Sequence, residues 1–222
     1  MPFDEYYLYI YGMKNLIITL IISAFCLSAG AQSFEGKVVY NAAYKSKIAA
    51  VSDDQFTSLL GSTLNYYLKG GDYRADGNGT LMIWQIYINS DNKLYNKLGN
   101  SNTVFWENGS VNKDSVLSAQ LNKNAANVLG YQCDELILNC KSGLQKYYYT
   151  SKFPIDSKLF EKHLTQNWYD YLKRANAMPL KMVLDNTQAT ITMTATSITP
   201  EKLDSSLFQL PAGTQTQELP NQ

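Results

Sequence analysis

The segment 130–150, GYQCDELILNCKSGLQKYYYT, constrains the fold more than any other stretch of the chain. It reads as a long β-hairpin, with one strand over 131–139, a turn at Lys141-Ser142-Gly143 and a return strand over 144–150. A strand with water on one side is apolar only at every second position. Here Ile137 falls on one face while Leu136 and Leu138 fall on the other, and Tyr147-Tyr148-Tyr149 puts rings on both. Each face therefore needs apolar or amphipathic cover, and the hairpin is expected in a sheet wrapped around a helix or a cavity. Phe153-Pro154 closes this run, and a helix is expected after it.

On either side of the hairpin the turn signals are closely spaced. SFEGKVVYNAAY, over 33–44, is expected to form the first strand. Ser52-Asp53-Asp54-Gln55 is a capping box that opens a short helix to Leu60, with Phe56, Leu59 and Leu60 inward and Gly61 as its stop. A meander follows over 64–107, punctuated by Gly70-Gly71, Gly77-Asn78-Gly79 and Asn89-Ser90-Asp91-Asn92. Its most apolar strand, 81–88, presents Met82, Trp84, Ile86 and Ile88 on one face and Leu81, Ile83, Gln85 and Tyr87 on the other. The polar segment 108–127 reads as loop with a short strand at 115–120.

Beyond the hairpin, Asp156-Ser157 should begin the longest helix, 158–174, whose Phe160, Leu164, Trp168, Tyr171 and Leu172 form one stripe. Strands at 180–184 and 189–198 and a helical turn at 204–208 complete one domain, residues 32–213, with a mobile tail over 214–222. This is an α+β chain, mostly antiparallel β, with a half-open curved sheet, or incomplete barrel, closed by helices.

The N-terminus sets the compartment. Residues 16–27 are almost wholly apolar, follow Met13-Lys14, and end in Ala29-Gly30-Ala31, which reads as a secretory signal with cleavage after Ala31 and a true start at Met13. The run is short for a membrane span, so the mature chain is expected to have none. Cleavage removes Cys26 and leaves Cys133 and Cys140. Seven residues apart on one extended strand, these two lie about 23 Å apart, far beyond bridging distance. Either the strand breaks near Asn139 or both thiols stay free and buried, and free thiols are the expectation.

Few parts for catalysis are present. His163 is the single histidine and has no cysteine or carboxylate at a ligand spacing, so no metal site is expected and a half-exposed structural role is. The cysteines lack a basic neighbourhood that would lower their pKa. The glycine pairs lack a following lysine-serine and read as turns rather than phosphate loops. Asp134 and Glu135 are neighbours on a strand and point to opposite faces. No catalytic residue and no cofactor is assigned. A net charge of zero argues against nucleic acid.

With 17 tyrosines among 13% aromatic residues and only 17% charged, what remains is an aromatic surface. Met82, Trp84, Ile86, Trp106, Leu136, Leu138, Tyr148, Trp168 and Met193 are the candidate lining of an apolar cavity. The segments FEGKVVY, LGYQCDELIL, YYYTSKFPIDSKLF, MPLKMVL, ITMTATSI and SSLFQLPAG, within 34–213, resemble a family of uncharacterised secreted proteins. That family looks like the superfamily of the periplasmic lipoprotein carrier LolA. The resemblance implies a half-open antiparallel barrel closed by helices, a Gram-negative envelope location and no catalysis. The two arginines, Arg74 and Arg174, match no arginine at a cavity mouth. The reading is thus a monomeric, non-enzymatic periplasmic protein that binds a lipophilic small molecule or a lipoprotein acyl chain. Its rival is an envelope interaction or stress-sensor module that meets a protein partner and has a fully packed core.

Overall fold

The computed structural model describes residues 33–219, so the signal-peptide reading lies outside the described residues. In chain order the strands are β1 (Gly36–Ser46), β2 (Thr63–Lys69), β3 (Asp72–Gly77), β4 (Met82–Ile88), β5 (Lys93–Leu98) and β6 (Val104–Asn108). There follow β7 (Val116–Val128), β8 (Tyr131–Cys140), β9 (Gly143–Pro154), β10 (Ala177–Asn186), β11 (Ala189–Pro200) and β12 (Thr216–Glu218). The α-helices are α1 (Asp53–Leu60) and α2 (Trp168–Ala175). All twelve strands lie in one sheet, in the order β12-β6-β5-β4-β3-β2-β1-β11-β10-β9-β8-β7. Two meanders, β1 to β6 and β7 to β11, are thus stitched together by the antiparallel pairing of β1 with β11.

Connectivity forces this sheet to curl. β6 and β7 are ten strand spacings apart in the order, which on a flat sheet is roughly 48 Å. The chain joins Asn108 to Val116, a link that spans at most roughly 29 Å when fully extended. The two ends must therefore approach each other, and the sheet is a mostly antiparallel trough, not closed, because β12 and β7 do not pair.

The hairpin at the centre of the sequence forms as its pattern requires, with β8 and β9 joined through Cys140 opposite Gly143. Gly143 has φ 141°, and a Cβ there would sit 2.0 Å from the Asp185 carbonyl oxygen on β10, so only glycine closes this turn against the next strand. The Ser52 capping box also forms, with the Ser52 hydroxyl accepting from Gln55 N and the Gln55 side chain accepting from Ser52 N. α1 buries no residue, however, and Leu59 is exposed: the helix rests on the rim of β1 instead of entering the core.

Three sequence expectations are corrected. The short strand expected at 115–120 forms but runs on through the stretch expected as loop, as the 13-residue edge strand β7, Val116–Val128. Most of its residues are exposed, apolar Leu117 and Leu121 included, so its pairing with β8 leaves no buried face to read. The tail expected to be mobile includes β12, which pairs in parallel with β6.

The long helix is broken into a 3-10 turn (Ser157–Phe160), a second 3-10 turn (Thr165–Asn167) and α2, with Gln166 and Asn167 at φ 59° and 63°. The 108–114 link is what breaks it. Leu164 N and Thr165 N both donate to the Gly109 carbonyl, and Asn167 Nδ2 donates to Asp114 Oδ2 at 3.0 Å. These polar groups find partners across space in place of partners along a helix. The apolar stripe is still used, for Phe160, Tyr171 and Leu172 are all 0% exposed in the core between this lid and the sheet.

Candidate functional site

Alternation along each strand decides which side chains face the hollow. Opposite partners share a face, so the pairing of Leu64 with Tyr40, of Tyr66 with Ala75 and of Ala75 with Gln85 fixes one inner row across β1 to β4. On the other meander, Met182 stands between Tyr147 and Met193 and extends that row through β9 to β11. Between these rows and the lid lies a cavity of about 360 Å³. Its wall is apolar and aromatic, with Tyr40, Tyr66 and Tyr147 on the sheet and Trp168 from the lid. Three methionines, Met178, Met182 and Met193, add pliable surface. Asp114, Gln145, Gln166 and Asn186 give the margin its polar groups.

The tyrosines are fixed in their neutral form. Burial pushes Tyr40 and Tyr147 far above the ordinary phenol range. The Tyr40 hydroxyl donates to the Pro179 carbonyl at 2.6 Å, and Tyr147 donates to Gln145 Oε1 at 3.1 Å. Trp168 differs: its buried indole Nε1 has no hydrogen-bond partner among the described residues. A buried N–H without a partner is costly, and this one belongs to a residue in the cavity wall.

Of the nine residues nominated from sequence, Trp168 and Met193 line the cavity. The other seven do not. Leu136 and Leu138 are on the inner side but sealed in the core, at 3% and 0% exposure. Trp84, Ile86 and Trp106 occupy the opposite, outer face, since their neighbours across the sheet are Asp76, Arg74 and Tyr95, while Gln85 and Tyr87 turn inward. Trp84 stacks under Arg74 and Trp106 under Lys93. Ile86 is buried there because the 3-10 turn Ser205–Phe208 packs on the outer side of β3 and β4. Met82 pairs with Leu98 at a bulge and is absent from the wall. Tyr148 is on the outer face too, donating to Glu135 Oε1 at 2.7 Å beneath Lys181.

The strand β4 is apolar on both faces, so alternation alone could not rank them. The residues that were missed, Tyr40, Leu64 and Met182 among them, were readable only through register across the sheet, Tyr40 opposite Leu64 and Met182 opposite Met193.

His163 is fully buried, at 1% exposure, and not half-exposed as expected. Its ring stacks on Tyr87 at 3.9 Å between centroids, and Nε2 lies 2.8 Å from the Tyr73 hydroxyl. Nδ1 has no partner among the described residues. Burial lowers its pKa from 6.5 to about 3, so the ring is neutral and pins the lid to the sheet.

Both thiols are free and buried in the same core, despite their odd spacing. The pairing of β7 with β8 is irregular between Asn122 and Ala126, the level at which Cys133 enters. Cys140 is held near Asn167 Nδ2 at 3.4 Å, and burial, helped by Asp114, pushes its thiol up to about 12.

Comparison with known proteins adds a family. The family described as "Domain of unknown function (DUF4412)" matches residues 84–214. No curated protein matches the chain. Among solved structures, it is similar to an uncharacterized conserved protein from Thermus thermophilus, with 10% identity and a TM-score of 0.47, over 82% of this chain and 90% of that one. It is also similar to PNGF-II, with 14% identity and a TM-score of 0.40, over 82% of this chain and 31% of that one.

Proposed function

The chain belongs to the DUF4412 family, a domain of unknown function, and from that premise we propose that it is a non-enzymatic carrier of the Gram-negative cell envelope. It holds a lipophilic molecule or an acylated peptide in the trough of its sheet, in the manner of the LolA-like proteins its segments resemble. The observation that carries this reading is the cavity of about 360 Å³, walled by Tyr40, Tyr66, Trp168 and the three methionines, with an unpartnered indole N–H in its wall. Volume and lining match a small-molecule site, which is typically concave, mostly apolar and furnished with a few polar groups. Each methylene moved from water into it would contribute about 0.8 kcal/mol. Methionine walls suit chains of varied girth better than one rigid shape. No helix among the described residues is long and apolar enough to cross a membrane.

The test is recovery of ligand. Protein purified from its native envelope should release a lipophilic molecule into organic solvent, detected by mass spectrometry. A Met193→Trp variant, which fills the cavity, should release much less while keeping its melting temperature within a few degrees. Lipid-free extracts from both proteins would refute the carrier reading.

The competing reading, an interaction module for an envelope protein, draws on the exposed Leu117 and Leu121 of the edge strand β7. Co-purification of a protein lost in a Leu117→Lys/Leu121→Lys variant, with no lipid in the extract, would favour it.

A further inference from the structure

Two hydrogen-bond donors in the wall of the apolar cavity lack an acceptor. The Trp168 indole Nε1 is buried without a partner among the described residues. The other is the Tyr66 hydroxyl, on the inner row opposite Ala75. Tyr40, Tyr73 and Tyr147 in the same wall each bond through their hydroxyls to Pro179, His163 and Gln145, whereas that of Tyr66 makes no hydrogen bond among the described residues. Burial, with Tyr73 and Tyr40 beside it, pushes Tyr66 well above the ordinary phenol range, so it keeps its proton and remains a donor. One ring links the two: Tyr66 stacks on Tyr73 at 5.2 Å between centroids, and Trp168 meets Tyr73 edge-on at 6.2 Å. Both donors therefore belong to the same part of the hollow.

The wall supplies no cation to go with them, for no lysine, arginine or histidine lines the cavity. Of the two acids there, Asp185 belongs to the outer face, opposite Thr190 and Leu144, and is paired with Lys47. Asp114 is held by the neutral groups of Ser142, Gln145 and Asn167. A carboxylate entering this space would give up its hydration with no opposite charge in return, and Asp114 would repel it. An uncharged oxygen meets neither cost and gives buried donors the partner they lack. A carbonyl oxygen has two lone pairs and can accept from both. At about 360 Å³ the hollow lies near the lower limit for a small-molecule site, which suits one chain rather than several.

We propose that the ligand is a single fatty acyl chain in uncharged form, an ester or an amide, whose carbonyl oxygen accepts from Tyr66 and Trp168, and that the free fatty acid anion is selected against. This rests on the lipophilic-ligand reading above and narrows it to one chemical class.

Three probes with the same ten-carbon chain separate the two ideas: monodecanoylglycerol, an ester; the decyl ether of glycerol, with the same head and no carbonyl; and decanoate. Binding to the full mature chain is measured by titration calorimetry at pH 7, below the micelle concentration, with circular dichroism as a check on fold. The ester should bind at least about tenfold more tightly than either the ether or the anion, or about 1.4 kcal/mol. Tyr66→Phe keeps the ring on Tyr73 and breaks no bond within the protein, so the ligand-free variant should melt with the wild type while its ester-to-ether ratio falls. Trp168→Phe should lower the same ratio. Equal binding of ester and ether, binding of decanoate as tight as that of the ester, or a ratio unchanged in both variants would overturn the acyl-carbonyl proposal and leave the carrier reading standing. Failure of all three probes to bind would overturn both.

Discussion

His163 makes the stability of this fold sensitive to mild acid, and the size of the effect follows from its burial. The unfolded chain titrates this ring near 6.5 and the folded chain near 3. Between those values the unfolded state binds a proton that the folded state refuses. The stabilisation from keeping the ring neutral is therefore complete above pH 6.5 and is lost as pH falls towards 3. Each pH unit in that window costs about 1.4 kcal/mol, so the fold should lose about 2 kcal/mol between pH 7 and pH 5. The carboxylates held below their usual range, such as Asp170 and Asp134, act only at lower pH, nearer 4, which leaves the upper window to His163.

His163→Phe keeps the stack on Tyr87 and removes the titration. At pH 7 the variant should be less stable by about 1–3 kcal/mol, because the Tyr73 hydroxyl loses its partner. Its loss between pH 7 and pH 5 should nevertheless be close to zero. Urea melts at pH 7, 6 and 5 on both proteins measure this directly. The same pH slope in wild type and variant would refute the argument, and with it the claim that the ring is neutral and sealed under the lid.

Two other tests address where side chains lie. Tyr87→Ala should cost about 3–5 kcal/mol, since Tyr87 is 0% exposed and stacked on His163; Trp84→Ala, on the outer face beneath Arg74, should cost only about 1 kcal/mol. Equal losses in denaturant melts would move Trp84 into the core. Because burial raises both thiols, Cys133 and Cys140 should resist a thiol reagent at pH 8 and react only as fast as the protein opens, and labelling at the rate of a free thiol would contradict their placement.

Much of the architecture was legible because local signals were unambiguous. The β8–β9 hairpin, the Ser52 capping box and the β1–β6 meander each rest on turn chemistry that neighbours along the chain supply. What was illegible depended on contacts distant in sequence. Residues 158–174 carry a convincing helical stripe, yet Gly109 and Asp114 capture the backbone and amide groups that a continuous helix would need. β7 is an edge strand with most of its residues exposed, so burial leaves no pattern along it. β12 exists only by leaning on β6. The site was half-readable for the same reason: Trp168 and Met193 belong to elements with one apolar face, whereas Trp84 and Ile86 sit on a strand that is apolar on both.

That two-sidedness bears on where a ligand can go. A sheet with apolar groups on both faces commonly has a layer on each, and here the inner layer is the lid. The outer face is treated differently. The C-terminal 3-10 turn packs on β3 and β4, where Phe208 is buried and Ile86 is 0% exposed. Elsewhere single long side chains do the covering: Lys37 lies over Tyr67, Lys93 over Trp106 and Lys181 over Tyr148, their stems shielding rings while the ammonium groups reach water. On the hairpin itself, burial opposes ionisation of Glu135, yet bonds from Tyr148 and Asn122 outweigh it and hold the carboxyl below its usual range. A ring bonded to a charged carboxylate under a lysine is already satisfied and has nothing to offer an apolar guest. On the inner face the lid is short and broken at Gln166, and the large rings of Tyr40, Tyr66 and Tyr147 hold it off the sheet without filling the space between. The same requirement, apolar cover on both faces, is thus met by different means outside and inside, and the shortfall inside is the cavity.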